Sequence, residues 1–365
     1  MHESCEHESC DILLSGTGGF AARIAFDIAG TARRPVSVVI AGRNADRLNW
    51  LVLAANARAA IFGAPATFRG YRTDLLAPDA APALISATRP KVVVQAASVQ
   101  TSQVIATTGD AWSQLVAEGG LSATAVFQTL ISARVAAAIS AAGNGAAFVN
   151  CCFPDVVNGL IAALGHDVAC GMGNVAILSN AFAGARGIAD PARIQVLAHY
   201  QNLAPFRRAP EARSERPPRV WIDGQEITDV YGAFADIRLT PEPVIDISGA
   251  SGVPLVLAMA AGEDWTGHAP GPGGRPGGYP VALRDGRLAL RLPPGVTEEE
   301  AVAWNRAFEA RGGLVIDGDR AVYTGALRDA LARHSPALAE GFAIRDIESV
   351  HADMRALRDR LQDMR

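Results

Sequence analysis

Three groups of residues have types and spacing suited to chemistry. The first is the turn Gly16-Thr17-Gly18-Gly19-Phe20-Ala21, a G-x-G-x-x-A pattern that follows the apolar run DILLS. In such a turn the first glycine permits a tight bend and the second lets backbone approach a pyrophosphate. The small third position lets helix pack on strand, and the amides opening the helix face the phosphates. The second group is His199 with Tyr200, and His268 with Tyr279 inside the glycine- and proline-rich stretch 264–280. Imidazole and phenol give or take protons beside a carbon that gains or loses hydride. The third is Cys151 and Cys152, at the end of an apolar run and ahead of a helix. A helix N-terminus stabilises a thiolate in such a position.

Composition removes several mechanisms. Lys91 is the only lysine, and no tyrosine has a lysine four residues later. Pyridoxal-phosphate chemistry would rest on that one lysine, and the Tyr-x-x-x-Lys pair of short-chain dehydrogenases is missing. The net charge of −4, with mixed signs, speaks against a nucleic-acid or membrane-surface partner and for a small-molecule substrate. Five cysteines in a chain of 365 residues make no disulfide framework, and no apolar run follows a basic start, so a cytoplasmic protein is expected. The HESC repeat in residues 1–10 offers His and Cys to a metal, but no third ligand cluster supports it and a polar, disordered tail is expected.

The elements that would position these groups alternate between strand and helix from 11 to 185. DILLSG, VSVVIAG, a segment within 67–75, KVVVQAAS, AAFVNCC and DVACGMGN read as six strands, and helices intervene. Asn44 or Asp46 caps the second helix. The fold class is α/β, a doubly wound parallel Rossmann sheet joined to a second, mixed α+β domain at 186–345. There, three D-G pairs mark hairpins, residues 193–206 read as a strand, and helices fall at 250–262 and 297–311. The stretch 264–280 reads either as a mobile lid or as an ordinary surface loop. In the C-terminal helix at 346–365, Ile347, Val350, Met354, Leu357, Leu361 and Met364 form a seam. That seam either joins two subunits as a homodimer or packs on its own chain.

The second strand decides the cofactor. An NAD site places an acid at its end to bind the ribose 2′-hydroxyl. Here the strand ends Gly42-Arg43-Asn44, where glycine leaves room and the guanidinium suits a 2′-phosphate, so NADP(H) is expected. The missing acid also disfavours an S-adenosylmethionine enzyme. Asp74 either bonds the adenine or caps a helix, and Ala97 and Ser98 should line the nicotinamide ribose. In LLSGTGGFAARIA, VVIAGRNADRL, TDLL and VVVQAAS the chain resembles the N-terminal NADP-binding domain of saccharopine dehydrogenase-like oxidoreductases, over residues 11–105. The resemblance implies hydride transfer to or from a C=N or C=O carbon of a small amino-acid-like metabolite.

His199 leads as general acid or base, with Tyr200, His268 and Tyr279 behind it, and Arg207 and Arg208 would hold a substrate carboxylate. Cys152-Phe153-Pro154-Asp155 is similar to the nucleophile segment of N-acetyl-glutamyl-phosphate reductases. That resemblance implies a rival, thioester route to NADPH reduction. A non-catalytic NADP(H)-binding sensor is the third reading.

Overall fold

The computed structural model describes residues 9–100, 109–240 and 244–364. Six parallel strands form the central sheet: β1 (Ile12–Ser15), β2 (Val36–Gly42), β3 (Ala66–Arg72), β4 (Val92–Gln95), β5 (Ala147–Asn150) and β6 (Cys170–Gly171). Their order is β3-β2-β1-β4-β5-β6, so the chain reverses direction across the sheet between β1 and β4. β1, β4 and β5 are short and almost wholly buried because helices cover both faces, whereas β3 at the sheet edge is mostly exposed or half-buried. Those helices are α1 (Gly19–Thr31), α2 (Ala45–Phe62), α3 (Ala80–Thr88), α4 (Ala111–Gly119), α5 (Ala125–Ala142), α6 (Pro154–Ala163) and α7 (Val175–Ala185). Asn44 caps α2 by accepting from the Arg47 amide at 2.9 Å, and Gly63 ends it in the left-handed conformation. The apolar α5 is a core helix, with thirteen of its eighteen residues buried.

The remainder is the expected mixture of small sheets and helices. One sheet contains β7 (Ile194–Leu197), β8 (Arg219–Ile222) and β9 (Gln225–Glu226). Helices α8 (Val230–Ala233), α9 (Ile245–Ser251) and α10 (Val253–Ala261) follow. A second sheet contains β10 (Trp265–Pro270), β11 (Gly278–Arg284) and β12 (Arg287–Leu290). After α11 (Glu298–Gly312) come β13 (Leu314–Asp317), β14 (Arg320–Tyr323), α12 (Gly325–Ala332), α13 (Pro336–Ala339), β15 (Phe342–Ala343) and α14 (Ile347–Gln362). The D-G pairs turn the hairpins β8–β9, β11–β12 and β13–β14. At the first two, both residues are left-handed: Asp223 and Gly224 at φ 51° and 80°, Asp285 and Gly286 at 49° and 73°.

Several expectations change. The strand expected over 193–206 ends at Leu197, and His199 caps a short 3₁₀ turn, Tyr200–Leu203. The stretch 264–280 is neither lid nor loose loop: it forms β10, a glycine turn and the start of β11, paired from Trp265–Leu283 to Pro270–Gly278. Cys10 is buried, and its amide donates to the Thr88 carbonyl just ahead of β1. His2, Cys5 and His7 lie outside the described residues. The α14 seam packs on its own chain: Ile347, Val350, Met354, Leu357 and Leu361 are buried in one core with Leu13, Val93, Phe127 and Phe148. Only Met364 at its end stands exposed.

Candidate functional site

The crevice begins where β1 ends. Gly16, at φ 119°, occupies a region closed to other residues, and a Cβ there would stand 3.1 Å from the backbone of Ala96 and Ala97. Gly18 differs in kind. Its backbone is ordinary extended chain at φ −72°, and a Cβ there would meet nothing within 4 Å. Gly18 is the N-cap of α1, it makes no side-chain cap, and the first turn carries no acid. The uncapped amides of α1 therefore face open space, as a pyrophosphate requires. Ala21 is buried, Phe20 is half-buried and Gly19 is exposed. Gly42 serves the turn rather than the ribose, because a Cβ at 42 would lie 2.4 Å from Thr17 Cγ2. Arg47 Nε donates to the Thr17 carbonyl at 3.1 Å and holds the same turn.

At the ends of β2 and β3, Arg43 and Asn44 are exposed, Asn44 with its side chain used as the cap of α2. Arg72 stands opposite Gly42 in the β2–β3 register and is also exposed. No ion pair to Arg43 or Arg72 occurs among the described residues, so two guanidinium groups at the ends of β2 and β3 stand ready for an anion. Asp74 closes its own turn, accepting from the Leu76 amide at 3.1 Å. On the far side of the switch point, Gln95 Nε2 donates to the Ala97 carbonyl at 2.7 Å and Ser15 Oγ bonds to Gln95. Ser98 Oγ donates to the Gln100 carbonyl. The loop after β4 is thus held against the glycine turn by side chains from both strands.

The carboxyl ends of β5 and β6 carry the polar cluster. Phe153 and Asn174, the N-caps of α6 and α7, both have φ 48°, a conformation costly for residues other than glycine. They flank Asp155. One Asp155 oxygen accepts from the Tyr200 amide at 3.1 Å, and the other accepts from Asn174 Nδ2. Burial pushes this carboxyl up to about 6, against the pull of those hydrogen bonds. Glu309 of α11 lies in the same region; burial, with Asp155 adding, pushes it up to about 8. The Tyr200 ring lies 5.0 Å from Phe153. A side chain at Gly312 would stand 3.2 Å from its hydroxyl and 2.8 Å from Gln201 Nε2, so the last turn of α11 presses on it.

The sequence candidates separate on burial. His199 is 1% exposed, stacks on Phe308 at 5.4 Å, and is driven by burial down to about 3. Its Nδ1 accepts from the Gln201 amide, so it is a neutral capping residue and not a group that titrates near neutrality. His268 is likewise neutral, pushed down to about 3 by burial, and its Nε2 accepts from the Val196 amide at 2.9 Å to join β10 to β7. Tyr279 is fully buried and donates to the Pro276 carbonyl. Arg208 is paired with Glu215 on the surface, and Arg207 is exposed in the same loop, so no substrate carboxylate is clamped there.

Burial also holds both cysteine thiols in the protonated form. Cys152 is 5% exposed, its thiol contacts the Ala97 carbonyl at 3.4 Å, and burial raises it to about 12. Cys151 is raised well above its ordinary range, also by burial. The helix behind them begins at Pro154 with Phe153 as cap, which places neither sulfur at its amides. Cys151→Ser and Cys152→Ser are expected to leave NADPH oxidation within severalfold of the unaltered protein; loss of turnover in either would restore the thioester route.

The fold is similar to that of solved lactate and malate dehydrogenases. Cryptosporidium parvum malate dehydrogenase is similar at a TM-score of 0.51 and 13% identity, covering 95% of this chain and 99% of that one. Lactate dehydrogenase from Eimeria maxima, solved with NADH and oxamate, gives 0.52 and 14%, with 83% and 94% covered. Lactate dehydrogenase from Cryptosporidium parvum, solved with lactic acid and nicotinamide adenine dinucleotide, gives 0.51 and 14%, with 95% and 98% covered. No protein-family model and no curated protein sequence matches the chain. At this identity what is shared is architecture. The site residues must be read from this chain itself, and Asp155, Asn174 and Glu309 are its own.

Proposed function

We propose that the protein is a pyridine-nucleotide-dependent oxidoreductase that moves a hydride to or from a C=O or C=N carbon of a small metabolite. One observation carries the reading: the glycine turn and the open, uncapped end of α1 lie at the β1/β4 switch point of a 3-2-1-4-5-6 sheet. Ligands of open α/β sheets bind at that point. The bound dinucleotide supplies the hydride chemistry. The chain's own residues bind it through Gly18, Gly19 and the α1 amides, and orient it with the Gln95-braced loop at Ala97. The solved dehydrogenases of this fold hold NADH or nicotinamide adenine dinucleotide, which supports the dinucleotide in general.

The phosphorylated form is favoured here. Arg43 and Arg72 flank the ribose position, and the end of β2 has no acid. The narrower resemblance to saccharopine dehydrogenase-like oxidoreductases, over residues 11–105, points the same way and toward a C=N or C=O carbon of a small amino-acid-like metabolite. Asp155 after β5 and Tyr200 after β7, whose amide donates to it, are the groups fit to hold or pass a proton beside the reacting carbon. The test is NADPH and NADH binding by calorimetry, then oxidation of the bound form with a panel of ketones, imines and aldehydes. A protein that binds NADPH yet oxidises it with none of them would support the sensor reading instead. Arg43→Asp is expected to weaken NADP binding about tenfold, the loss of one charge-assisted contact, and to strengthen NAD binding. If NADP affinity survives that change and NAD affinity does not rise, the cofactor preference is overturned.

A further inference from the structure

Most of the large apolar side chains left exposed belong to one helix. Among the described residues there are six, and four lie on α2: Trp50 at 56%, Leu53 at 63%, Ile61 at 75% and Phe62 at 57%. The inner stripe of α2 is already packed, because Leu48, Leu51, Ala55 and Ale59 share the core of Ile24, Val38 and Ile40. A surface helix ordinarily sets polar residues opposite its buried stripe. On α2 a second apolar stripe stands there instead. Trp50, Leu53, Ala57 and Ala60 recur at the 3-4-3 spacing of a helix–helix seam, with Ile61 next to Ala60, and all five are exposed. Between Trp50 and Phe62 there is no acid. The one cation in that span, Arg58, is half-buried, with its guanidinium 5.3 Å from the Phe26 ring and 5.3 Å from the Phe62 ring.

The strand beside this helix does not offer the contact. β3 is the edge of the central sheet, with β2 on one side only, and a bare edge invites another strand. Asn56 of α2 closes it. Its Nδ2 donates to the Phe68 carbonyl at 2.8 Å, and its Oδ1 accepts from the Phe68 amide at 3.0 Å. With the middle of the edge already bonded, whatever meets this face meets the helix. The four large side chains expose roughly 500 Å² of apolar surface, at the upper end of what a monomer leaves contiguous and over half of the ~800 Å² each partner gives to a stable dimer.

We propose that this stripe joins two copies of the chain, with α2 of one protomer lying against α2 of its partner about a two-fold axis. A surface without charge can face its own copy with no like-charge repulsion. Small residues at Ala57 and Ala60, in the middle of the seam, let two helices approach closely. A membrane surface would call for cations along the flanks of the stripe, and the flanks carry Asn49, Asn56 and the half-buried Arg58. The homodimer expected from the α14 seam thus has its surface on another helix. The contact is independent of the dinucleotide reading.

The test is sedimentation velocity of the full chain across the micromolar range. A closed dimer is expected, since a two-fold contact uses the same patch on both copies. Leu53→Glu and Ile61→Glu each put a carboxylate into the seam at a position exposed in the single chain, so both should keep the melting temperature of a folded protein. Each is expected to weaken association about 100-fold or more and to give monomers. Ala289→Glu, on the exposed face of β12, should leave the dimer intact. A monomeric unaltered chain overturns the proposal, and its co-sedimentation with anionic vesicles would assign the stripe to a membrane instead. Dimers that persist in both Leu53→Glu and Ile61→Glu place the contact elsewhere. Growth beyond the dimer with concentration overturns the two-fold arrangement.

Discussion

Replacing Glu309 with glutamine is expected to stabilise the protein in alkaline solution and to change little in acid. Glu309 binds its proton more tightly in the folded chain than in the unfolded one, because burial raises it from 4.5 to about 8. Its favourable contribution is therefore complete below about 4.5 and is lost as pH rises through 8. At about 1.4 kcal/mol for each decade of proton affinity, full ionisation removes roughly 5 kcal/mol. Glutamine has nearly the same shape and no charge, so it lacks this slope. The measurement is a pair of urea unfolding curves for each protein, one near pH 5 and one near pH 9. The two proteins should have similar midpoints at the lower pH, with the variant clearly more stable at the higher. Parallel loss of stability in both would mean that Glu309 is already ionised in the folded chain. Asp155→Asn is a poorer probe, because its new amide would face Asn174 Nδ2, donor against donor.

The largest effect on ligand binding is expected at Gly18. A side chain there meets nothing within 4 Å and needs no unusual backbone angle. Gly18→Asp should therefore fold normally, and its carboxylate should cap α1 and stabilise the helix by a few tenths of a kcal/mol. The same carboxylate would occupy the amides and bring an anion against the pyrophosphate. Loss of those charge-assisted bonds alone is worth roughly 3 kcal/mol, about 100-fold in affinity. A slightly raised melting temperature with nucleotide binding abolished would show that the α1 terminus is the phosphate site. Unchanged NADPH affinity in a folded Gly18→Asp protein would place the nucleotide elsewhere.

The two ends of the site differed in how plainly the sequence announced them. The glycine turn was legible because its residues answer local demands: positive φ at Gly16, open space at Gly18, a small side chain at Ala21. Adjacent letters carry that information. The three D-G hairpins were legible for the same reason. The buried cluster at Asp155 was not, because it depends on contacts between residues far apart in the chain, such as Asp155 with Tyr200. Glu309 sits in EEEAVAWNRAFEARG, which looks like a solvated, charged helix. Its signal is only the i, i+4 pair Asn305–Glu309 beside the buried stripe Ala301, Trp304 and Phe308. His199 and His268 attracted notice for their chemistry, but each turned out to serve backbone amides in the interior. A histidine that caps a turn and one that moves a proton look alike until burial is known.

The place of α14 makes sequence-distant parts of the fold depend on each other. Met354, Leu357 and Leu361 share a core with Val93, Phe127 and Phe148. Arg358 lies over the Phe127 ring at 4.8 Å, and the Met364 carbonyl accepts from the Ala111 amide. The helix thus packs on α4 and α5 rather than on the sheet itself. Because α5 belongs to the same core as Val93 and Phe148 of the sheet, a change that loosens α14 also loosens the packing behind β4 and β5.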